Sequence, residues 1–165
     1  MEYKVVGYGS LISHNSLKED IGDKRFKPVI VKGFKRIFDI YEGKRGDVLN
    51  LEEDKKGKFN GVMFKVDENE LRKLRKREDV YGFEKKNVYD FKTRKKIGKA
   101  LLFIDFFIDI DKKKKLPDKR YFILCREAVY HISKEFGRMW DKTTFVADGE
   151  RVDKWIKKHG DFDSL

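Results

Sequence analysis

The segment VVGYGSL, residues Val5–Leu11, decides how the N-terminal part of this chain folds. Tyr3–Val6 has the β-branched and aromatic bias of a strand, and Gly7 and Gly9 then interrupt that pattern. Glycine adopts backbone angles that other residues avoid, and it lets main-chain N–H groups approach a ligand without an intervening Cβ. The segment therefore predicts a strand that ends in a turn able to hold a small anionic group.

The composition predicts one soluble folded domain. The chain has 165 residues, of which 39% are hydrophobic and 14% aromatic, which is enough to bury a core without disulfides. Its single cysteine, Cys125, cannot form an intramolecular disulfide, and no cysteine–histidine cluster indicates a zinc site. No long apolar segment is present, so we expect a cytoplasmic protein.

The charge raises the question of nucleic-acid binding. The net charge is +11, but 40 basic side chains are accompanied by 29 acidic ones, a lysine- and glutamate-rich composition like that of hyperthermophile proteins. The run Lys112–Lys115 lacks the aromatic signature of an RNA-binding sheet and the basic recognition helix of a DNA-binding protein. The charge pattern therefore does not predict a nucleic-acid partner.

Hydrophobic patterning predicts short β-strands in the first part of the chain. Gly33–Ile40 alternates apolar and polar residues, which indicates a half-buried strand with Arg36 on its solvent face. The polar run Glu52–Lys58 predicts a turn between two further strands. The other strands predicted in this part are Pro28–Val31, Val48–Leu51 and Phe59–Val66.

The pattern then changes to helices that alternate with strands. Asp67 and Glu70 have capping-box spacing before a short helix that ends near Arg77, and Glu78–Phe83 follows as an irregular connection. Two strands and two helices complete the chain: Lys86–Phe91, Lys99–Phe107, a long helix from Asp118 and a short one containing Val152, Trp155 and Ile156.

These elements predict an α+β fold: a small, mostly antiparallel β-barrel or mixed sheet with packed helices. We expect a single domain over residues 1–165, with a core at 3–107 and a helical C-terminal extension at about 118–160.

The order of motifs resembles the γ-glutamylcyclotransferase-like superfamily, which includes AIG2-like proteins and the glutathione-degrading cyclotransferases. The turn Tyr8–Leu11 is followed by the segments Gly33–Phe38 and Asn60–Val66, and then by the pair Arg77–Glu78 at the end of a short helix. An aromatic-rich strand comes next. The resemblance covers about residues 3–107 and implies the superfamily's fold, with no cofactor and no metal.

The resemblance also implies a site for a small γ-glutamyl substrate. The turn binds the γ-glutamyl group through main-chain N–H groups, and Glu78 acts as the catalytic acid and base. The implied substrate-binding residues are Tyr8, Gly9, Ser10, Leu11, Tyr81 and Phe83.

The implied reaction makes physical sense for one carboxylate. The substrate's α-amine must lose a proton as it attacks its own γ-carbonyl, and the departing amine must gain one, so a single glutamate can perform both transfers. A partly apolar pocket formed by Tyr81 and Phe83 would raise the pKa of Glu78 by desolvation. Ring closure to 5-oxoproline is intramolecular, so holding the substrate folded contributes much of the rate.

Several alternatives remain open at this point. Asp79 and Glu84 are the neighbouring carboxylates, and Tyr81 and Phe83 fit a core position equally well. Many relatives have a tyrosine where this chain has Phe83, so the fold also fits a non-catalytic module that binds a small metabolite or a protein. The leaving amine and the oligomeric state are not determined by the sequence.

Overall fold

The computed structural model describes residues 1–13, 18, 21–41, 46–77, 81–105, 110–113 and 116–165. The strands are β1 (Tyr3–Gly7), β2 (Lys27–Tyr41), β3 (Asp47–Val66), β4 (Tyr81–Asp90), β5 (Lys96–Asp105) and β6 (Thr144–Val146). The α-helices among these residues are α1 (Glu68–Arg77), α2 (Lys119–Ile132), α3 (Lys134–Thr143) and α4 (Val152–Trp155). Short 3₁₀ helices lie at Ser10–Ile12, Ile156–Lys158 and Gly160–Phe162.

The strands form one mixed sheet in the order β3-β1-β5-β4-β2-β6. Strand β3 also pairs with β2, so the first five strands close into a ring of pairings. Neighbouring strands are mostly antiparallel, whereas the pairs β1–β5 and β2–β6 are parallel. The predicted α+β barrel is confirmed.

The chain divides into two compact units. The first contains Met1–Lys32 and Asn60–Phe107, and the second contains Gly33–Phe59 and Ile108–Leu165. The prediction of a single domain over the whole chain stays a prediction.

An apolar cluster forms the core of the first unit. Its buried members come from β1, the turn, β3, α1 and β5, together with Ile21, and half-buried aromatic and leucine side chains pack around them. The opposite face of the sheet carries a second row of buried apolar side chains, since Val6 is paired with Met63 on β3 and with Leu102 on β5. Strand alternation thus gives β1 two buried faces.

Helix α1 begins as its sequence predicts. The Asp67 N–H donates to Glu70 Oε1 at 2.9 Å, and the Glu70 N–H donates to Asp67 Oδ1 at 2.8 Å. This reciprocal pair satisfies main-chain donors that the first turn leaves without helical acceptors. Buried Leu74 then anchors the helix in the apolar cluster.

Two predicted connections are strands in the structure. The polar run Glu52–Lys58 belongs to β3, and Tyr81–Phe83 belongs to β4. A Cβ on Gly57 would lie 2.5 Å from the carbonyl oxygen of Phe34, so glycine allows β3 to approach β2 closely there. The run looks like a loop in the sequence because most of its side chains face solvent, although its main chain is extended.

Arg36 lies in the core of the second unit, so the prediction of a solvent-facing side chain is wrong. Its register partner is Thr144 on β6, and its Nε donates to Thr144 Oγ1 at 2.8 Å. The guanidinium also lies 5.3 Å from the ring centroid of Trp140. The short parallel strand β6, which the sequence patterning did not predict, supplies this cover.

Asp39 is a buried carboxyl in the same unit, with 7% of its surface exposed. Burial raises the pKa of Asp39 to about 6, and a hydrogen bond from Asn50 opposes that shift. The charge of Glu52 raises the pKa further, whereas that of Lys35 lowers it. Asp39 Oδ1 accepts no hydrogen bond from the described residues.

The helices of the second unit are joined by an arginine network. Arg126 donates from Nε and Nη2 to the two carboxylate oxygens of Asp141, at 2.9 and 3.0 Å, and from Nη1 to Asp163 at 2.7 Å. Tyr130 donates to Asp141 as well. This geometry fixes α2 against α3 and holds the C-terminal residues.

None of the described helices is long and apolar enough to cross a membrane.

Gly7→Ala is expected to destabilise the protein by about 1–3 kcal/mol, because overpacking forces neighbouring atoms to shift. The added Cβ would lie 2.8 Å from Leu11 Cβ and 3.0 Å from the Leu11 carbonyl oxygen. Urea unfolding measures the loss, and Gly160→Ala, where no atom lies within 4 Å of the new Cβ, is the control. Equal losses in the two variants would contradict the close approach of the turn to β1.

Asp39→Asn is expected to remove a pH dependence of stability. The folded state binds the Asp39 proton more tightly than the unfolded chain, whose aspartate pKa is about 3.9. The free energy of unfolding of the wild type should therefore fall by about 2 kcal/mol as pH rises from 4 to 6.5, relative to the variant. Exposed Asp161→Asn is the control, and a wild-type curve parallel to that of Asp39→Asn would refute the assignment.

Candidate functional site

The predicted binding turn lies where β1 ends in the first unit. After Gly7 the chain enters the 3₁₀ helix Ser10–Ile12, in which the Ile12 N–H donates to the Gly9 carbonyl oxygen at 3.0 Å. The Ser13 N–H donates to the Ser10 carbonyl oxygen at the same distance. The turn is thus a compact, internally bonded structure.

The Tyr8 side chain connects the turn to strand β5. Its hydroxyl donates to the Phe103 carbonyl oxygen at 2.8 Å, and the residue is buried. The register pairs Val6 with Leu102, so this bond lies just beyond the parallel pairing of β1 and β5. The structure gives the Tyr8 hydroxyl a positioning contact with the protein's own main chain.

Leu11 anchors the other end of the turn. Its side chain belongs to the apolar cluster that contains Phe103 and Leu74, so it faces the core. Ser10 is half-buried. The main-chain N–H groups of Ser10 and Leu11 have no hydrogen-bond acceptor among the described residues. Two fixed donors are therefore available to an anionic group.

Phe83 lies in β4, directly opposite Phe103 in the antiparallel register. The two ring centroids are 4.5 Å apart, and Phe83 is half-buried at the edge of the apolar cluster. Arg75 of α1 places its guanidinium 4.7 Å from the centroid of the Phe83 ring. Phe83 thus contacts both the strand that positions Tyr8 and the last turn of the helix.

Of the remaining predicted residues, the structure describes Tyr81 but not Glu78. Tyr81 is the first residue of β4, and its main chain is paired with Asp105. Glu78, the predicted catalytic residue, and its neighbour Asp79 lie outside the described residues.

Glu84 follows Phe83 and therefore points to the opposite face of β4. Its register partner is Leu102, and Lys86 Nζ lies 3.1 Å from its Oε2. Phe103 therefore contacts both the turn Tyr8–Leu11 and Phe83. Glu84 points to the other face of β4.

Two residues of this site were not found from the sequence. Phe103 lies in the apolar run Ala100–Ile104 of β5, where nothing distinguishes its carbonyl as the acceptor for Tyr8. Arg75 is one of several basic residues in α1, and only the fold shows that it covers an aromatic ring. Within the described residues no group of three histidine, cysteine or acidic side chains is arranged to hold a metal ion.

Similar folds are known among solved structures. A structure titled gamma-glutamyl cyclotransferase aligns with a TM-score of 0.73 and 14% identity, over 96% of this chain and 99% of that one. An uncharacterized protein from Homo sapiens gives 0.72 and 14%, over 96% and 97%. An AIG2-like protein from Mus musculus gives 0.50 and 16%, over 67% and 86%. At these identities the likeness shows the fold.

No curated protein sequence matches the chain. A family model described as ChaC-like protein matches residues 3–132, which is more than half of the chain and includes the turn, Phe83 and α1. The resemblance to the γ-glutamylcyclotransferase-like superfamily is confirmed, and the chain belongs to the ChaC-like protein family.

Proposed function

We propose that this protein is a γ-glutamyl cyclotransferase-type enzyme. It closes the γ-glutamyl group of a small substrate to 5-oxoproline and releases an amine or amino acid. One observation carries the proposal: in a ChaC-like chain, the turn Tyr8–Leu11 is held rigidly and keeps two main-chain N–H groups without acceptors. The likeness over nearly the whole chain to a structure titled gamma-glutamyl cyclotransferase supports it.

The turn binds the glutamyl end of the substrate. The N–H groups of Ser10 and Leu11 hold its α-carboxylate or the oxyanion that develops on the γ-carbonyl oxygen. Donors that are fixed before the substrate arrives need no reorganisation during the reaction. The bond from Tyr8 to Phe103 and the packing of Leu11 supply that rigidity.

Glu78 transfers the proton in this proposal. The α-amino nitrogen attacks the γ-carbonyl carbon and forms the ring C–N bond, and the carboxylate takes the proton that the nitrogen loses. The original amide C–N bond then breaks, and the carboxyl returns the proton to the departing nitrogen. The reaction is balanced by the substrate alone, and the protein contributes a folded substrate conformation and one proton carrier.

We also propose a cytoplasmic location, which is consistent with a chain whose single cysteine forms no intramolecular disulfide. We also propose that residues 1–165 form a single domain.

Glu78→Gln is expected to lower kcat/KM by about 100-fold or more, as the loss of a general acid and base does. Mass spectrometry of 5-oxoproline formed from a panel of γ-glutamyl compounds measures the rate. Glu68→Gln, in the first turn of α1, is the matched control and should keep wild-type activity. Equal rates in wild type and Glu78→Gln would remove Glu78 from the mechanism.

The same panel separates an enzyme from a binding module. If γ-glutamyl compounds raise the melting temperature of wild type and Glu78→Gln alike, while wild type forms no 5-oxoproline, the fold binds its ligand without turnover.

Tyr8→Phe is expected to lower the free energy of unfolding by about 1 kcal/mol, because the buried Phe103 carbonyl loses a donor. The turn then loses its fixed position, so kcat/KM should fall as well. Tyr3→Phe is the control, since the Tyr3 hydroxyl makes no hydrogen bond with the described residues. An active Tyr8→Phe enzyme with wild-type stability would show that this bond does not position the site.

A further inference from the structure

Asp39 and Asn50 each bury one side-chain oxygen that has no hydrogen-bond partner among the described residues. Asp39 is 7% exposed and Asn50 is 1% exposed, and they lie in β2 and β3, which pair with each other. The two oxygens are Asp39 Oδ1 and Asn50 Oδ1. Leaving a buried acceptor without a donor costs free energy, so two such atoms on neighbouring strands require an explanation.

The two side chains are already joined by one hydrogen bond. The Asn50 side-chain amide donates to the Asp39 carboxyl group, and because Asp39 Oδ1 has no partner, the acceptor is Asp39 Oδ2. The oxygens that remain belong to the two groups that this bond holds together. When Asp39 is ionised, both of these oxygens are acceptors only, and they repel each other.

One proton satisfies both oxygens. When Asp39 is protonated on Oδ1, its O–H donates to Asn50 Oδ1 while the Asn50 amide donates to Asp39 Oδ2, so the acid and the amide form a closed pair of hydrogen bonds. This arrangement needs no further space between the side chains. A water molecule that bridged the same two oxygens would need a cavity of about 10–15 Å³.

The charges around Asp39 act in opposite directions. Lys35 of β2 lowers the pKa of Asp39 and Glu52 of β3 raises it, and Lys35 Nζ lies 3.7 Å from Glu52 Oε2. Asp111, next to the bridge between β2 and residue 110, accepts the Lys113 N–H at its Oδ1. Burial has the largest effect and raises the pKa of Asp39 to about 6, so the protonated form exists under mildly acidic conditions.

The main chain of Asp39 holds a third segment of the second unit. The Asp111 N–H donates to the Asp39 carbonyl oxygen at 2.8 Å, beside the bridge from Ile40 to Ile110. Asp39 therefore connects β2 to β3 through its side chain, and β2 to residues 110–113 through its main chain. A buried charge at Asp39 acts on both contacts.

We propose that Asp39 and Asn50 form a proton-dependent latch between β2 and β3. With the proton, the two side chains form the closed acid–amide pair. Without it, Asp39 Oδ1 and Asn50 Oδ1 repel each other, and the end of β2 opens more readily from β3 and from residues 110–113. The latch does not depend on the proposed enzymatic function.

Crystal structures of the wild type at pH 4.5 and pH 7.5 test the acid–amide pair directly. At pH 4.5 the distance from Asp39 Oδ1 to Asn50 Oδ1 should be about 2.5–3.0 Å, the range of an O–H···O hydrogen bond. At pH 7.5 the two oxygens should lie farther apart. A water molecule between them at pH 4.5, or the same distance at both pH values, would overturn the inference.

Hydrogen exchange at the Asp111 amide tests the opening. The pKa of Asp39 is about 6 in the closed state and about 3.9 when the carboxyl is exposed to water. Protection of this amide, corrected for its intrinsic exchange rate, should therefore fall about 10-fold from pH 5 to pH 7.5.

Two variants separate the latch from other effects of pH. Asp39→Asn keeps the shape of the side chain but cannot ionise, so its Asp111 protection should be the same at both pH values. Exposed Asp161→Asn is the matched control and should keep the wild-type fall. A flat profile in the wild type, or a fall that persists in Asp39→Asn, would show that Asp39 does not control the opening.

Discussion

The hydrogen bond from the Tyr8 hydroxyl to the Phe103 carbonyl oxygen is the contact on which the candidate site depends. A turn of glycines and a serine has many conformations available to it, and fixing each residue costs conformational entropy. The structure offsets that cost at both ends of the turn. Tyr8 binds the main chain of β5, and Leu11 inserts into the apolar cluster. Between these anchors, the main-chain N–H groups of Ser10 and Leu11 have no acceptor among the described residues.

Phe103 connects that turn to β4 through its side chain. Its carbonyl serves Tyr8, while its ring packs on Phe83, which in turn supports Arg75. Because a strand residue presents its main chain along the sheet and its side chain to one face, one residue can hold two elements at once. The aromatic pair thus connects the turn Tyr8–Leu11 to the last turn of α1.

Local sequence rules predicted the starts of two helices, because the residues that cap a helix are close to each other in the sequence. The capping box of Asp67 and Glu70 forms as expected, and Asp118 caps α2 by accepting from the Tyr121 N–H. The rules failed where distant strands decide the outcome. Glu52–Lys58 is extended because β3 continues past its apolar part, and Arg36 is buried because β6 covers it. Neither partner is visible from the neighbouring residues.

The sequence by itself predicted the fold class and the candidate turn Tyr8–Leu11, because glycine spacing, alternation and capping are properties of a few adjacent residues. The order of its motifs supplied the resemblance to the superfamily. The tertiary structure alone decided which distant residues contact the turn and Phe83. Phe103 lies 95 positions after Tyr8, and Arg75 meets Phe83 only because α1 packs against the sheet. Contacts of this kind arise from strand register and helix packing. The sequence of an apolar strand or of a basic helix does not identify the residues that it will contact.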